Sequence, residues 1–179
     1  MKKMVLIALT ILFAAAGYAQ EIPKIEFKGL APDEDASEII KGLDWQCSPT
    51  QTGGSDTGCI NHKETIAGVR TESVSVFLKD KHVTTILISF SEKDFDRVTA
   101  ALGEKFGKPT KEENKAVQNR LGASFENAIK TWKNGDTVMV AMQRAGSLDK
   151  SRITIDGKLF IDLARKEIEA QKKQEAKDL

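Results

Sequence analysis

Between Ser73 and Phe90 apolar and polar residues alternate, and this stretch constrains the fold more than any other. Val74, Val76 and Leu78 are interleaved with Ser73, Ser75, Phe77 and Lys79. Beyond Asp80-Lys81-His82, the residues Ile86, Ile88 and Phe90 repeat the alternation. A period of two puts one set of side chains on a single face of a strand, which predicts an antiparallel hairpin with one buried face. The register follows from keeping the apolar sets together. A two-residue turn at Asp80-Lys81 would set Val76 opposite Thr85 and send Ile86 to the other face. A three-residue loop pairs Val76 with Ile86 and Val74 with Ile88, and is the expectation.

Other elements group around this hairpin. Ile25 to Leu30 reads as a short strand, and Ile39, Ile40 and Leu43 form a helical stripe over 36–43. Ser91-x-x-Asp94 resembles a capping box, and Phe95, Val98, Leu102 and Phe106 lie on one helical face that Gly107 and Pro109 end. Thr110 to Asn119 is read as a loop or weak edge strand. Ala123 to Lys133 looks extended, Asn134-Gly135 is a strong hairpin turn, Thr137 to Met142 is the return strand, and Ser151 to Ile155 is another strand. A last helix is predicted from Leu159 to about Lys177, docked by Leu159, Phe160, Leu163, Ala164 and Ile168 and solvated in its distal half. This order predicts an α+β fold of two layers, an antiparallel sheet with helices on one face, containing a helix-plus-three-strand unit twice, near 36–90 and 91–155.

The N-terminus reads as an export signal. Lys2 and Lys3 precede the apolar run Val5 to Ala16, and Gly17-Tyr18-Ala19 offers small residues for cleavage before Gln20. The run is shorter than the roughly 20 residues that a membrane span needs. The expected organisation is a signal peptide at 1–19, one α+β domain at 20–158 and a C-terminal helix at 159–179, in a periplasmic or secreted protein with no membrane anchor after cleavage. Losing Lys2 and Lys3 leaves 25 basic residues against 26 acidic, a net charge of −1. That balance argues against a nucleic-acid partner. Cys47 and Cys59 are an even pair in an exported chain, which favours a disulfide. Cys59-x-x-His62 leaves a metal site as the rival reading, with only three ligands in view.

The remaining chemical motifs lack their context. Asp56-Thr57-Gly58 matches an aspartic-protease triplet, but it sits in a Gly-rich loop and has no second copy. His62 and His82 are the only histidines, and no G-x-S-x-G elbow, P-loop, G-x-G-x-x-G, H-E-x-x-H or calcium loop occurs. No catalytic residue, metal or cofactor is assigned. A two-residue turn at Asn134-Gly135 would place Lys133 opposite Asp136 and Trp132 opposite Thr137. Ile129, Thr131, Val138, Val140 and Met142 then share the face taken as the core side. Lys130, Trp132, Thr137 and Met139 share the other, a candidate protein-binding face, since aromatics and Met are enriched at interface centres. Burial of Trp132 under another element is the competing reading.

Phe27-x-Gly29-Leu30, a short helix, the paired cysteines, the run Phe95 to Pro109 and Thr131-Trp132 before a turn resemble a class of small exported bacterial proteins. Their layout is similar to the two-layer α/β repeats of the β-lactamase-inhibitor-protein and SmpA/OmlA type. The resemblance implies a sheet whose open face contacts other proteins, without enzymatic activity. The lipid-attachment Cys of the SmpA/OmlA lipoproteins has no counterpart here. The function expected is an exported binding or inhibitor-like module for another envelope or extracellular protein. A hydrolase with an unrecognised acidic site and a small-ligand carrier are the alternatives.

Overall fold

A computed structural model describes residues 23–42 and 44–175; the signal-peptide reading of residues 1–19 falls outside them. Helix α1 (Ser37–Gly42) is followed by strands β1 (Gln46–Pro49), β2 (Thr57–Asn61), a small hairpin β3 (Thr65–Ile66) and β4 (Val69–Arg70), then β5 (Ser73–Lys79) and β6 (His82–Ser91). Helix α2 (Phe95–Phe106) leads to β7 (Lys111–Gln118), β8 (Ser124–Asn134), β9 (Thr137–Met142) and β10 (Lys150–Asp156), and α3 (Lys158–Glu175) ends the described chain. Eight strands form one sheet in the order β1-β2-β5-β6-β10-β9-β8-β7, with every neighbouring pair antiparallel. The expected α+β architecture is therefore present.

The repeat is larger than expected. Each helix is followed by four strands of the main sheet rather than three, because β1 and β2 form on either side of the Gly-rich segment that the sequence suggested was a loop. The two four-strand units meet only at β6–β10, and α2 carries the chain from that seam to the far edge, where β7 begins. Cys47 and Cys59 stand directly opposite on β1 and β2 and form the disulfide. In the chain-entropy model a loop this short is worth about 3 kcal/mol when closed. Cys59 is thus no metal ligand, and His62 Nδ1 lies 2.8 Å from the Glu72 carbonyl, to which it donates.

The central hairpin has the expected partners, reached by another route. Val76 faces Ile86 and Val74 faces Ile88. The turn itself has two residues, Asp80 and Lys81, both at positive φ (49° and 70°), as a type I′ turn requires. A bulge at Thr84 inserts the extra residue, so that Phe77 faces Thr85 while Leu78 faces Val83. Thr84 is fully buried and held by its side chain: Oγ1 donates to the Phe77 carbonyl at 3.0 Å and lies 2.8 Å from Ser55 Oγ.

Rows of apolar side chains cross the sheet beneath α2. Val76, Ile86, Ile155, Met139 and Trp132 are opposite one another in sequence across five strands, and Val74, Ile88, Ile153 and Ala141 form a second row. Phe95, Val98, Leu102 and Phe106 of α2 complete this core, as their helical spacing predicts, and Ile40 of α1 belongs to it. The capping box does not form. Ser91 and Asp94 make no side-chain cap bond, and a 3-10 turn at Glu92–Asp94 starts the helix instead. Gly107, at φ 80°, ends it. Ile25–Leu30 is no strand: Phe27 and Leu30 exchange both backbone hydrogen bonds across a tight turn at Lys28-Gly29.

The last helix starts on an unusual cap. Lys158 N and Leu159 N each donate at 2.8 Å to the two carboxylate oxygens of Asp33, which satisfies two of the orphan donors of the first turn. Phe160 and Leu163 lie over Gly53 and Gly54, where a Cβ would sit 3.3 Å from each side chain. Beyond Ala164 the described side chains are exposed, and Ile168 is 52% accessible. The solvated distal half thus begins one turn earlier than its stripe suggests.

Candidate functional site

The second face of the sheet is the candidate site. Strand alternation places there every residue that the α2 side does not take. One row crosses seven strands: Ile60, Ser75, Leu87, Thr154, Val140, Thr131 and Lys111. A flanking row holds Ser73, Ser89, Arg152, Met142, Ile129 and Glu113, and on the other side run Gly58, Phe77, Thr85, Asp156, Val138 and Lys133. Phe77, Leu87, Val138, Val140 and Met142 are half-exposed. The surface is an apolar strip interleaved with Ser and Thr hydroxyls, with Arg152 and Asp156 on the central strand beside it and Lys111, Glu113 and Lys133 toward one edge.

This reverses the assignment drawn from the β8–β9 hairpin. The grouping of residues into two faces holds, but Trp132 (2% exposed) and Met139 (1%) are core, and Val138, Val140 and Met142 line the open side, where Ile129 of the same face is itself buried. Trp132 Nε1 donates to the Gly107 carbonyl at 2.9 Å, which ties the indole to the end of α2. Lys130 is half-buried on the same side, with Nζ 3.5 Å from Thr99 Oγ1 of α2, and Thr137 is half-buried. Trp132 and Met139 therefore offer no surface to a partner. The physical reason is long-range: β10 lies between β6 and β9, so the row set by Ile86 and Ile155 dictates which side of β9 is buried. The hairpin register also differs. Asn134 faces Thr137 and Trp132 faces Met139, so the turn is Gly135-Asp136, with Gly135 (φ 59°) at the position where a type II′ turn calls for Gly.

Burial perturbs one carboxyl at the middle of the open face. Burial pushes the Asp156 carboxyl above its ordinary range, and the Thr85 hydroxyl, donating at 2.8 Å, only partly offsets this. Because the folded-state pKa is raised, the group's stability contribution is fully present below the unfolded value near 3.8 and is lost as pH rises through the folded one. Asp156→Asn keeps an acceptor for Thr85. It is expected to match the parent in denaturant unfolding at about pH 3 and to exceed it at about pH 7. Equal midpoints at both pH values would contradict this.

Asp56 of the protease-like triplet has a structural setting. Its Oδ2 accepts the Asp80 backbone N–H at 2.9 Å, its Oδ1 accepts the Thr57 hydroxyl at 2.9 Å, and Lys79 Nζ lies 3.5 Å away. The Asp80 N–H, then the Thr57 hydroxyl and Lys79, hold its carboxyl below the usual range, and these contacts tie it to the β5–β6 turn. His82 Nδ1 donates to the Asp80 carbonyl at 2.9 Å. Among the described residues no three His, Cys, Asp or Glu side chains converge to hold a metal, and no helix is long and apolar enough to cross a membrane. No protein-family model, curated protein or solved structure matches the chain.

Proposed function

We propose that the protein is an exported, non-enzymatic binding module that docks another envelope or extracellular protein on the open face of its sheet. The observation that carries this reading is the half-exposed apolar strip of Leu87, Val138, Val140 and Met142 at the middle of a wide sheet. The central strand β10 sets Thr154 opposite Val140, with Arg152 opposite Met142 and Asp156 opposite Val138, so apolar contact and a few charged groups lie side by side, a mixture that suits a protein partner. The partner that fits presents an apolar patch ringed by hydroxyl-bonding groups. Docking is through the face, since both sheet edges discourage strand addition. β1 has four residues and includes Pro49, and β7 carries Lys111, Glu112, Glu113 and Lys115. The disulfide supports an oxidising compartment.

The test is capture from an envelope extract, followed by titration of each purified candidate against parent and Val140→Arg protein. Val140→Arg should keep the fold, because the side chain is half-exposed, and weaken binding by at least about tenfold by burying an unpaired charge. A partner bound equally by Val140→Arg and Leu87→Arg proteins would refute the face assignment. The hydrolase alternative would draw on Asp156, the carboxyl that burial holds above its ordinary range, and substrate turnover abolished by Asp156→Asn would establish it.

A further inference from the structure

At one end of the open face, the β7–β8 turn and the 143–149 loop enclose a cleft of about 380 Å3, within the size range of ligand sites. Val117 and Leu148 form apolar walls, Arg120 and Arg144 supply charge, and no carboxylate lines it. Arg144 is fixed from behind. Its guanidinium donates to Glu92 Oε1 at 2.8 Å and to the Glu126 carbonyl, and stands 5.8 Å from the Phe125 ring centre. Two N–H groups are used in this way, and the other guanidinium donors have no partner among the described residues. Arg120 has no ion pair or hydrogen bond among the described residues.

The turn above the cleft is both ordered and uncovered. Asn119 Oδ1 accepts the N–H groups of Leu121 (3.0 Å) and Ala123 (2.9 Å), and Gly122 N donates to the Asn119 carbonyl at 3.0 Å. On this rigid support Leu121 is 93% exposed. A preorganised loop loses little further entropy on binding.

We propose that this cleft binds an acidic peptide segment, with a carboxylate between Arg120 and Arg144 and a neighbouring apolar residue on Leu121, Leu148 and Val117. Planar guanidinium groups match carboxylates, and the apolar walls require more than a bare anion. The proposal extends the binding-module reading by naming the chemistry at one end of its surface, and its test fails separately.

The probe is the capped peptide acetyl-Leu-Asp-Glu-Leu-amide, titrated into 15N-labelled protein, with acetyl-Leu-Asn-Gln-Leu-amide as its neutral counterpart. Saturable shifts are expected at the amides of 117–121 and 144–148, with affinity at least about tenfold weaker for the neutral peptide and for Arg120→Gln protein. Leu121→Ser should weaken binding as well, and Val140→Arg should leave it unchanged. Absence of binding, equal binding of the two peptides, indifference to Arg120→Gln, or shifts centred on Leu87 and Val140 would each overturn the assignment. Displacement by equimolar inorganic phosphate would also overturn it, by reducing the cleft to a general anion site.

Discussion

Trp132→Ala is expected to destabilise the protein by about 3–5 kcal/mol, the cost of removing a large aromatic side chain from a packed core. The indole is 2% exposed, packs with Met139 and the α2 residues, and donates to the Gly107 carbonyl at the helix end. Truncation opens a cavity and orphans that carbonyl, so the loss should fall at the upper end of the range. For a domain of this size the melting temperature should drop by on the order of 10 °C. Denaturant unfolding followed by circular dichroism measures it directly, and a loss under about 1 kcal/mol would show that Trp132 is not core. Trp132→Phe, which keeps an aromatic but no donor, should lie between. Any loss of partner binding by Trp132→Ala protein therefore reports on the fold and says nothing of a surface.

Gly157→Ala should be comparably damaging, although it adds only one methyl group. Its Cβ would stand 2.5 Å from Pro32 Cβ and 2.7 Å from both carboxylate oxygens of Asp33, distances that no relaxed contact shows. The backbone has to move, and it moves where Asp33 caps Lys158 and Leu159. Overpacking costs about 1–3 kcal/mol and a lost cap about 0.5–2, so a total near 3 kcal/mol is expected. Asp33→Ala, which removes the cap without the collision, should cost only the second part. The two variants separate the effects in the same unfolding measurement, and hydrogen exchange of the 158–164 amides should rise in both. A Gly157→Ala protein as stable as the parent would mean that the 32–33 segment yields freely.

How much of this was legible in the sequence depends on the range of the interaction. The partners across β5 and β6 could be read because two apolar sets had to coincide. The device that aligns them could not, since a longer loop and a short turn plus the Thr84 bulge give the same pairing. At Asn134-Gly135-Asp136 either two-residue turn uses the glycine, and only the ladder of β8 with β9 selects Gly135-Asp136. The buried side of that hairpin was misjudged for the same reason. Four aliphatic residues look more like a core than Trp132, Met139 and Ala141, until β10 is placed between the halves of the sheet. Asp33 caps a helix 125 residues away, which no local pattern announces. Ser91 looked like a cap because the local pattern fits, yet its neighbour Glu92 is drawn to Gln143 (2.7 Å) and Arg144 (2.8 Å), residues far along the chain. For the candidate site, the alternation showed which residues travel together, and tertiary placement decided which set faces solvent.

The seam between the two four-strand units is a continuous hydrogen-bond ladder, from Lys150 opposite Ser91 to Asp156 opposite Thr85. Two halves joined in this way cannot hinge against each other as linked domains do, because bending there breaks the ladder. Leu87 of the first half and Val140 of the second are separated by one intervening strand at Thr154. Their spacing is set by strand geometry at about 10 Å, two inter-strand distances. A partner that touches both is measured against a ruler rather than gripped by a jaw, and it must already have the matching shape.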